Sequence, residues 1–145
     1  MGNLGHAESF KDLAVYQKAR KVSARVFQLT KTFPKDEVHS LTDQIRRSSR
    51  SIGAQIAEAW GKRRYEKHFV SKLTDADAEQ YETQHWLDEA RNSGYITSEQ
   101  ANQVLNDLLE VGRMLNAMIR KADLFCGTGP DRVREELAEY MVSDD

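Results

Sequence analysis

A chain of 145 residues is long enough for one domain with a core of its own, and 39% apolar with 30% charged residues and only two prolines describes a helical protein rich in surface charge, not a disordered one. Apolar runs are a few residues long, far short of the roughly 20 that span a bilayer, so a transmembrane helix is excluded. The net charge of −2 is segregated along the chain: residues 1–64 hold 13 Lys/Arg against 6 Asp/Glu, and residues 65–145 hold 8 against 17. Segregation of this kind arises either from basic and acidic helices packing side by side or from an anion-binding surface on the basic half.

The opening MGNLGHAESF has no basic stretch leading into an apolar run, so no secretory signal is expected, and His6 stands where a myristoylation signal needs Ser or Thr. A first helix is predicted over residues 11–32, with Ser9 and Asp12 as its capping pair and Val15, Ala19, Val22, Val26, Leu29 and Phe33 as its apolar seam. Pro34 ends it, and residues 35–39 connect to the second helix.

Ser40 and Asp43 repeat the capping pattern, so the second helix begins near Leu41. Leu41, Ile45, Ser48, Ile52, Ile56 and Ala59 form its core side, and Ser48, Ser49, Ser51, Gly53, Ala54 and Ala57 are small enough to let a neighbour approach closely. Its remainder is basic. Arg46 and Arg50 share a narrow sector that Gly53 and Ala57 continue toward Lys62, Arg63 and Arg64, a stripe suited to phosphate backbones. Arg47 and Glu58 lie on one face, so Arg47 is expected to be consumed in structural ion pairs with Glu58, Glu79 or Glu82.

A third helix is predicted from Tyr65 or Glu66, with Phe69, Leu73, Ala76, Gln80, Thr83, Leu87 and Ala90 as its seam. Gln80 and Thr83 need partners if buried. Gly94 terminates it, and Thr97 with Gln100 opens a fourth helix. There Ala101, Val104, Leu108, Val111, Leu115, Met118 and Ala122 trace the seam, while Leu105, Gly112 and Ile119 widen it enough to meet a second neighbour or another subunit. Short connectors imply an all-α, up-down-up-down antiparallel four-helix bundle over residues 1–122. Residues 123–145 read as a linker and acidic C-terminal tail, with an amphipathic stretch over 131–142.

No catalytic constellation is apparent. Glu82 and His85 form the Glu-x-x-His spacing of di-iron bundles, but the second copy and the helix-one acid that such a site needs are missing, so no metal or other cofactor is expected. Cys126 is the lone cysteine, without an internal disulfide partner or spaced zinc ligands, and lies far along the chain from every histidine, which fits a reducing cytoplasm and no nucleophile. Phosphate-binding glycine loops are absent.

Phe10-x-x-Leu13 with Ala19, Phe33-Pro34, Leu41-Thr42-x-Gln44-Ile45-Arg46-Arg47, Ser51-Ile52, Ile56-Ala57-Glu58, Phe69, Leu73, Ala76, Glu82 and Gly94-Tyr95-Ile96 resemble a bacterial four-helix-bundle family encoded in intervening sequences of 23S ribosomal RNA genes. The resemblance runs from residue 10 to about 122. It implies a homopentameric, barrel-like assembly and kinship with the accessory variability protein of diversity-generating retroelements, which associates with nucleic acid and a reverse transcriptase. The chain departs from the family pattern at Gln55 and Ala59, where Asn and Gly are usual, and at Ala78-Glu79, where Gly-Ser is usual. The expected function is therefore a non-enzymatic, cytoplasmic homo-oligomer that binds RNA or DNA electrostatically, as an accessory to a larger nucleic-acid enzyme. The alternative is a structural or protein-binding oligomer without nucleic-acid activity.

Overall fold

The computed structural model describes residues 7–126, which are all-helical, with no strand among the described residues. Four long helices, α1 (Ala14–Thr30), α2 (Leu41–Gly61), α3 (Glu66–Asn92) and α4 (Ser98–Arg120), are followed by a short α5 (Ala122–Cys126). None of these helices is long and apolar enough to cross a membrane. Residues 131–142 and most of the acidic tail lie outside the described residues.

Helix α1 starts later than its capping pair suggests. Ser9 and Asp12 do form a reciprocal capping box, with the Ser9 amide donating to Asp12 Oδ2 at 3.1 Å, but the box closes a 3-10 turn over Phe10–Asp12. Leu13 then takes an extended conformation, is buried, and turns the chain into α1. The cap of α2 also differs. Ser40 makes no capping bond; its hydroxyl donates to Glu37 Oε1, and the same oxygen accepts from the Leu41 amide at 3.4 Å. A carboxylate delivered by the 3-10 turn Lys35–Glu37 takes the place of the serine, where free amides and the helix dipole favour negative charge. Glu37 Oε2 accepts from the Tyr95 hydroxyl at 2.8 Å, tying the first interhelical connector to the third.

At the other termini the local chemistry acts as its residue types dictate. Gly94 holds φ +79°, a conformation that costs a glycine little, and Thr97 with Gln100 closes a complete capping box on α4.

Around a shared core, α1 packs on α2 and α4, and α3 packs on α2, α4 and α5. Val22, Ile52, Ile56, Leu73, Leu108 and Leu115 are completely enclosed, and each such side chain contributes roughly 1.5–3 kcal/mol of hydrophobic stabilisation. The two polar residues of the α3 seam are enclosed and bonded. Thr83 Oγ1 meets Ser48 Oγ of α2 at 2.9 Å, while Gln80 donates to Asp77 at 3.1 Å and accepts from Gln84 at 2.7 Å. Among the described residues no buried side-chain polar atom lacks a partner.

The bundle's contacts extend past the point where periodicity ends. Residues 122–126, mostly expected as linker, form α5, whose Phe125 is buried and stacks on Phe69 of α3 at 5.6 Å between centroids. The α4 seam breaks because the backbone turns at Lys121, and the new direction brings Phe125 onto α3.

Candidate nucleic-acid interface

Arg46 and Arg50 stand one turn apart on α2 on its α1-facing side, where both guanidinium groups lie over the ring of Phe27, at 4.8 and 5.6 Å from its centroid. Lys31, just past the end of α1, approaches the same ring at 5.0 Å. Arg46 is half-buried and its Nε donates to Thr30 Oγ1 at 2.7 Å, so it is a fixed cation as well as a surface one. Arg50 is exposed.

Beside this cluster runs a groove of about 790 Å³ between α1 and α2. Gly53, Ala54 and Ala57 make its floor, Tyr16 and Phe27 its aromatic walls, and Arg20, Lys21 and Arg50 its charged rim. Tyr16 packs over Gly53, and the Arg20 guanidinium lies 5.9 Å from the Tyr16 centroid. A second groove of about 640 Å³, lined by His39, Thr42, Arg46, Arg47, Ser51 and others, shares Arg50 and Ala54 with the first.

Lys62, Arg63 and Arg64 do not join this cluster. They follow the end of α2, and at 1.5 Å rise per residue Lys62 is roughly 18 Å from Arg50 along the axis. Arg63 lies 3.5 Å over the Trp60 indole and its Nε donates to the Trp60 carbonyl at 2.9 Å. Burial lowers its pKa, opposed by the neighbouring Cys126, yet a guanidinium stays charged at any physiological pH. Arg64 lies 5.9 Å from the Tyr65 centroid, and Lys62 is exposed. The basic stripe is therefore two separate groups. Among the described residues, none of these five cations has a carboxylate within ion-pair distance.

Arg47, next in sequence to Arg46, turns the other way. It pairs with Glu82 of α3 and lies 3.6 Å from Glu79, and Glu82 also accepts from the Trp86 indole at 3.2 Å. Glu58 is not its partner; Glu58 sits 3.8 Å from Lys72, which also donates to Gln55 at 3.3 Å. Sharing a helix face was insufficient, because 11 residues put the two about 16 Å apart along the axis.

His85 is exposed with its ring against Trp86, and no group of three metal-ligating side chains occurs among the described residues. Burial pushes the Cys126 thiol up to about 11, with Glu66 adding to the shift, which keeps it a protonated and weak nucleophile.

The contribution of α1 was not anticipated from sequence. Its signal was there: residues 13–35 contain six Lys/Arg and no Asp or Glu. Lys18 is used up by Asp107 and Glu110 of α4, at 3.3 and 3.0 Å, and Arg25 by Gln103, which leaves Arg20, Lys21 and Lys31 on the α2 side.

No curated protein matches the chain. Among solved structures it is similar to the crystal structure of a protein of unknown function from the S23 ribosomal protein family of Bacteroides thetaiotaomicron, with 33% sequence identity and a TM-score of 0.66 over 74% of this chain and 99% of that one. The family model described as 23S rRNA-intervening sequence protein matches residues 11–117, a stretch that contains α1, α2, α3 and every cation of the basic groove, and the chain belongs to that family.

Proposed function

We propose that this protein is a non-enzymatic, cytoplasmic homo-oligomer whose α1–α2 face binds nucleic acid electrostatically, as an accessory to a larger nucleic-acid enzyme. The observation that carries the reading is the gathering of Lys31, Arg46 and Arg50, none with a carboxylate partner among the described residues, on one aromatic ring beside an aromatic-walled groove. Counterions released from a phosphate backbone drive association with such a surface, without sequence preference. The bundle is read as up-down-up-down: Lys18 with Asp107, Arg25 with Gln103, Thr30 with Arg46, and Ser48 with Thr83 support opposite directions for neighbouring helices.

Fluorescence anisotropy with labelled RNA and DNA over a salt series tests the binding reading. Affinity should fall as a power of salt concentration, with similar values across sequences. No measurable binding at 50 mM salt would discard it.

A second reading, an oligomer that contacts only protein, draws on a different face. Tyr81 and Leu109 are 61% and 43% exposed, and beside them Gly112, Arg113 and Asn116 line a groove of about 380 Å³. A repeated patch of this kind closes into a ring when each subunit covers its neighbour's. A pentamer is the stoichiometry that the family resemblance supports, and native mass spectrometry giving only monomer at micromolar concentration would remove both the ring and this reading.

A further inference from the structure

Three cations gathered on one ring need an explanation that the fold does not supply. Lys31, Arg46 and Arg50 lie 5.0, 4.8 and 5.6 Å from the Phe27 centroid, so no two of them can be more than about 11 Å apart, near the ~10 Å over which charges repel at 0.1 M salt. The ring attracts each cation through its quadrupole but neutralises none. Lys18, Arg47, Lys72 and Arg91 all have carboxylates within 4 Å, and these three have none among the described residues. Asp43 lines the smaller groove but forms no ion pair with any of them.

The geometry points to a phosphate-binding subsite formed by Lys31, Arg46 and Arg50 around Phe27. It deepens the nucleic-acid reading and rests on it only for the source of the phosphate. Arg46 is the fixed element: Thr30 holds its Nε at 2.7 Å, which orients the guanidinium plane and leaves both terminal nitrogens without a protein acceptor among the described residues. Planar, pre-oriented nitrogens suit a phosphate's paired oxygens, while Lys31 and Arg50 are exposed and free to close on the anion. Arg50 lines both grooves, so an anion bound here sits where they meet. A polymer can leave this point on either side, toward Tyr16 and Gly53 or toward His39 and Thr42. That continuity favours a phosphodiester strand as the source over a free anion.

The test uses the full chain and a Lys31→Gln/Arg50→Gln variant that keeps the Thr30–Arg46 bond, with exposed Lys67→Gln/Arg91→Gln on α3 as a control of equal charge. Sodium phosphate at 10 mM should raise the melting temperature of the parent and the control above that in chloride of matched ionic strength, and should not raise that of the variant. A labelled single-stranded ten-nucleotide oligomer should bind the variant at least about tenfold more weakly than parent or control, with a salt slope shallower by about 1.4. If phosphate protects all three proteins equally and the oligomer binds the variant as it binds the parent, the subsite is overturned while the nucleic-acid reading stands. If phosphate protects the parent and not the variant but the oligomer binds neither, the subsite holds for a free anion and the nucleic-acid reading falls. Absence of both effects in the parent overturns both.

Discussion

The two sides of α2 carry the same residue types and do different things with them. Toward α1, Arg46 and Arg50 meet an aromatic ring and, among the described residues, no carboxylate; toward α3, Arg47 meets Glu79 and Glu82. The α1 side leaves room, with Gly53 and Ala57 flooring a groove of about 790 Å³, whereas the α3 side is tightly occupied, with Ser48 and Thr83 completely enclosed and bonded at 2.9 Å. An arginine's role here is decided by what the neighbouring helix offers, and one step along the sequence is enough to change it.

The largest expected difference between the two sides is in binding. Replacing Arg46 and Arg50 with glutamine should weaken nucleic-acid affinity at least about tenfold and flatten the log-log salt dependence by about two units on duplex DNA, read by anisotropy. Because Arg46 also bonds buried Thr30, its loss should lower stability by roughly 1 kcal/mol in urea titration, so the affinity must be measured on the fully folded fraction. An unchanged salt slope would make the α1 side no different from any solvated face.

Glycine to alanine contrasts the α3–α4 packing with the α1–α2 packing. At Gly112 a new Cβ would lie 3.1 Å from Gln80 Nε2, and that amide cannot yield without loosening its bonds to Asp77 or Gln84, so Gly112→Ala should destabilise by roughly 1–2 kcal/mol despite its better helix propensity. At Gly53 the nearest atom, Tyr16 Cε1, is 3.5 Å away, an ordinary contact, and Gly53→Ala should stabilise by up to about 1 kcal/mol. Denaturant midpoints moving the same way for both would contradict the packing contrast.

A smaller effect is expected at Arg47. Its side chain is 48% exposed, so Arg47→Ala should cost under about 1 kcal/mol by chemical denaturation and leave the nucleic-acid salt slope where it was. A loss of binding equal to that of the Arg46/Arg50 variant would erase the distinction between neighbours.

Smallest of all is a pH effect at the connectors. The Ser40 hydroxyl, then the Tyr95 hydroxyl, hold the Glu37 carboxyl below its ordinary value. A lowered folded pKa contributes stability that is present above the unfolded value, near pH 4.3, and is lost as pH falls through the folded one. Glu37→Gln should accordingly flatten the acid limb of the stability curve below about pH 4.5, with its small cost present at neutral pH and vanishing in acid.

Much of this architecture can be read from residue spacing alone. Every member of the α3 seam, from Phe69 to Ala90, is buried, because a helix in a bundle has one inward side and the steps of three and four identify it. Gly94 and the Thr97–Gln100 cap are equally legible, since their chemistry is complete within four residues. Ser40 misleads for the opposite reason: its serine-acid spacing matches a cap, but a carboxylate four residues before the helix start was better placed. Phe125 was hidden by a change of chain direction, which periodicity cannot register. The candidate interface was half visible. Arg46 and Arg50 follow from helical geometry on α2, but Phe27 and Lys31 come from another helix, and only the acid-free run of residues 13–35 hinted at them.

The Glu37–Tyr95 bond joins residues 58 apart in sequence, and it gives the molecule a kinetic character beyond its small equilibrium worth. Helical bundles fold quickly because most of their contacts are local, and a bond between the first and third connectors forms only after α2 and α3 have aligned along their whole length. A contact that forms after the folding transition state acts on the unfolding rate alone. Removing the hydroxyl with Tyr95→Phe therefore leaves the folding arm of a chevron plot in place and raises the unfolding arm. The bond thus serves chiefly to lengthen the lifetime of the closed end of the bundle.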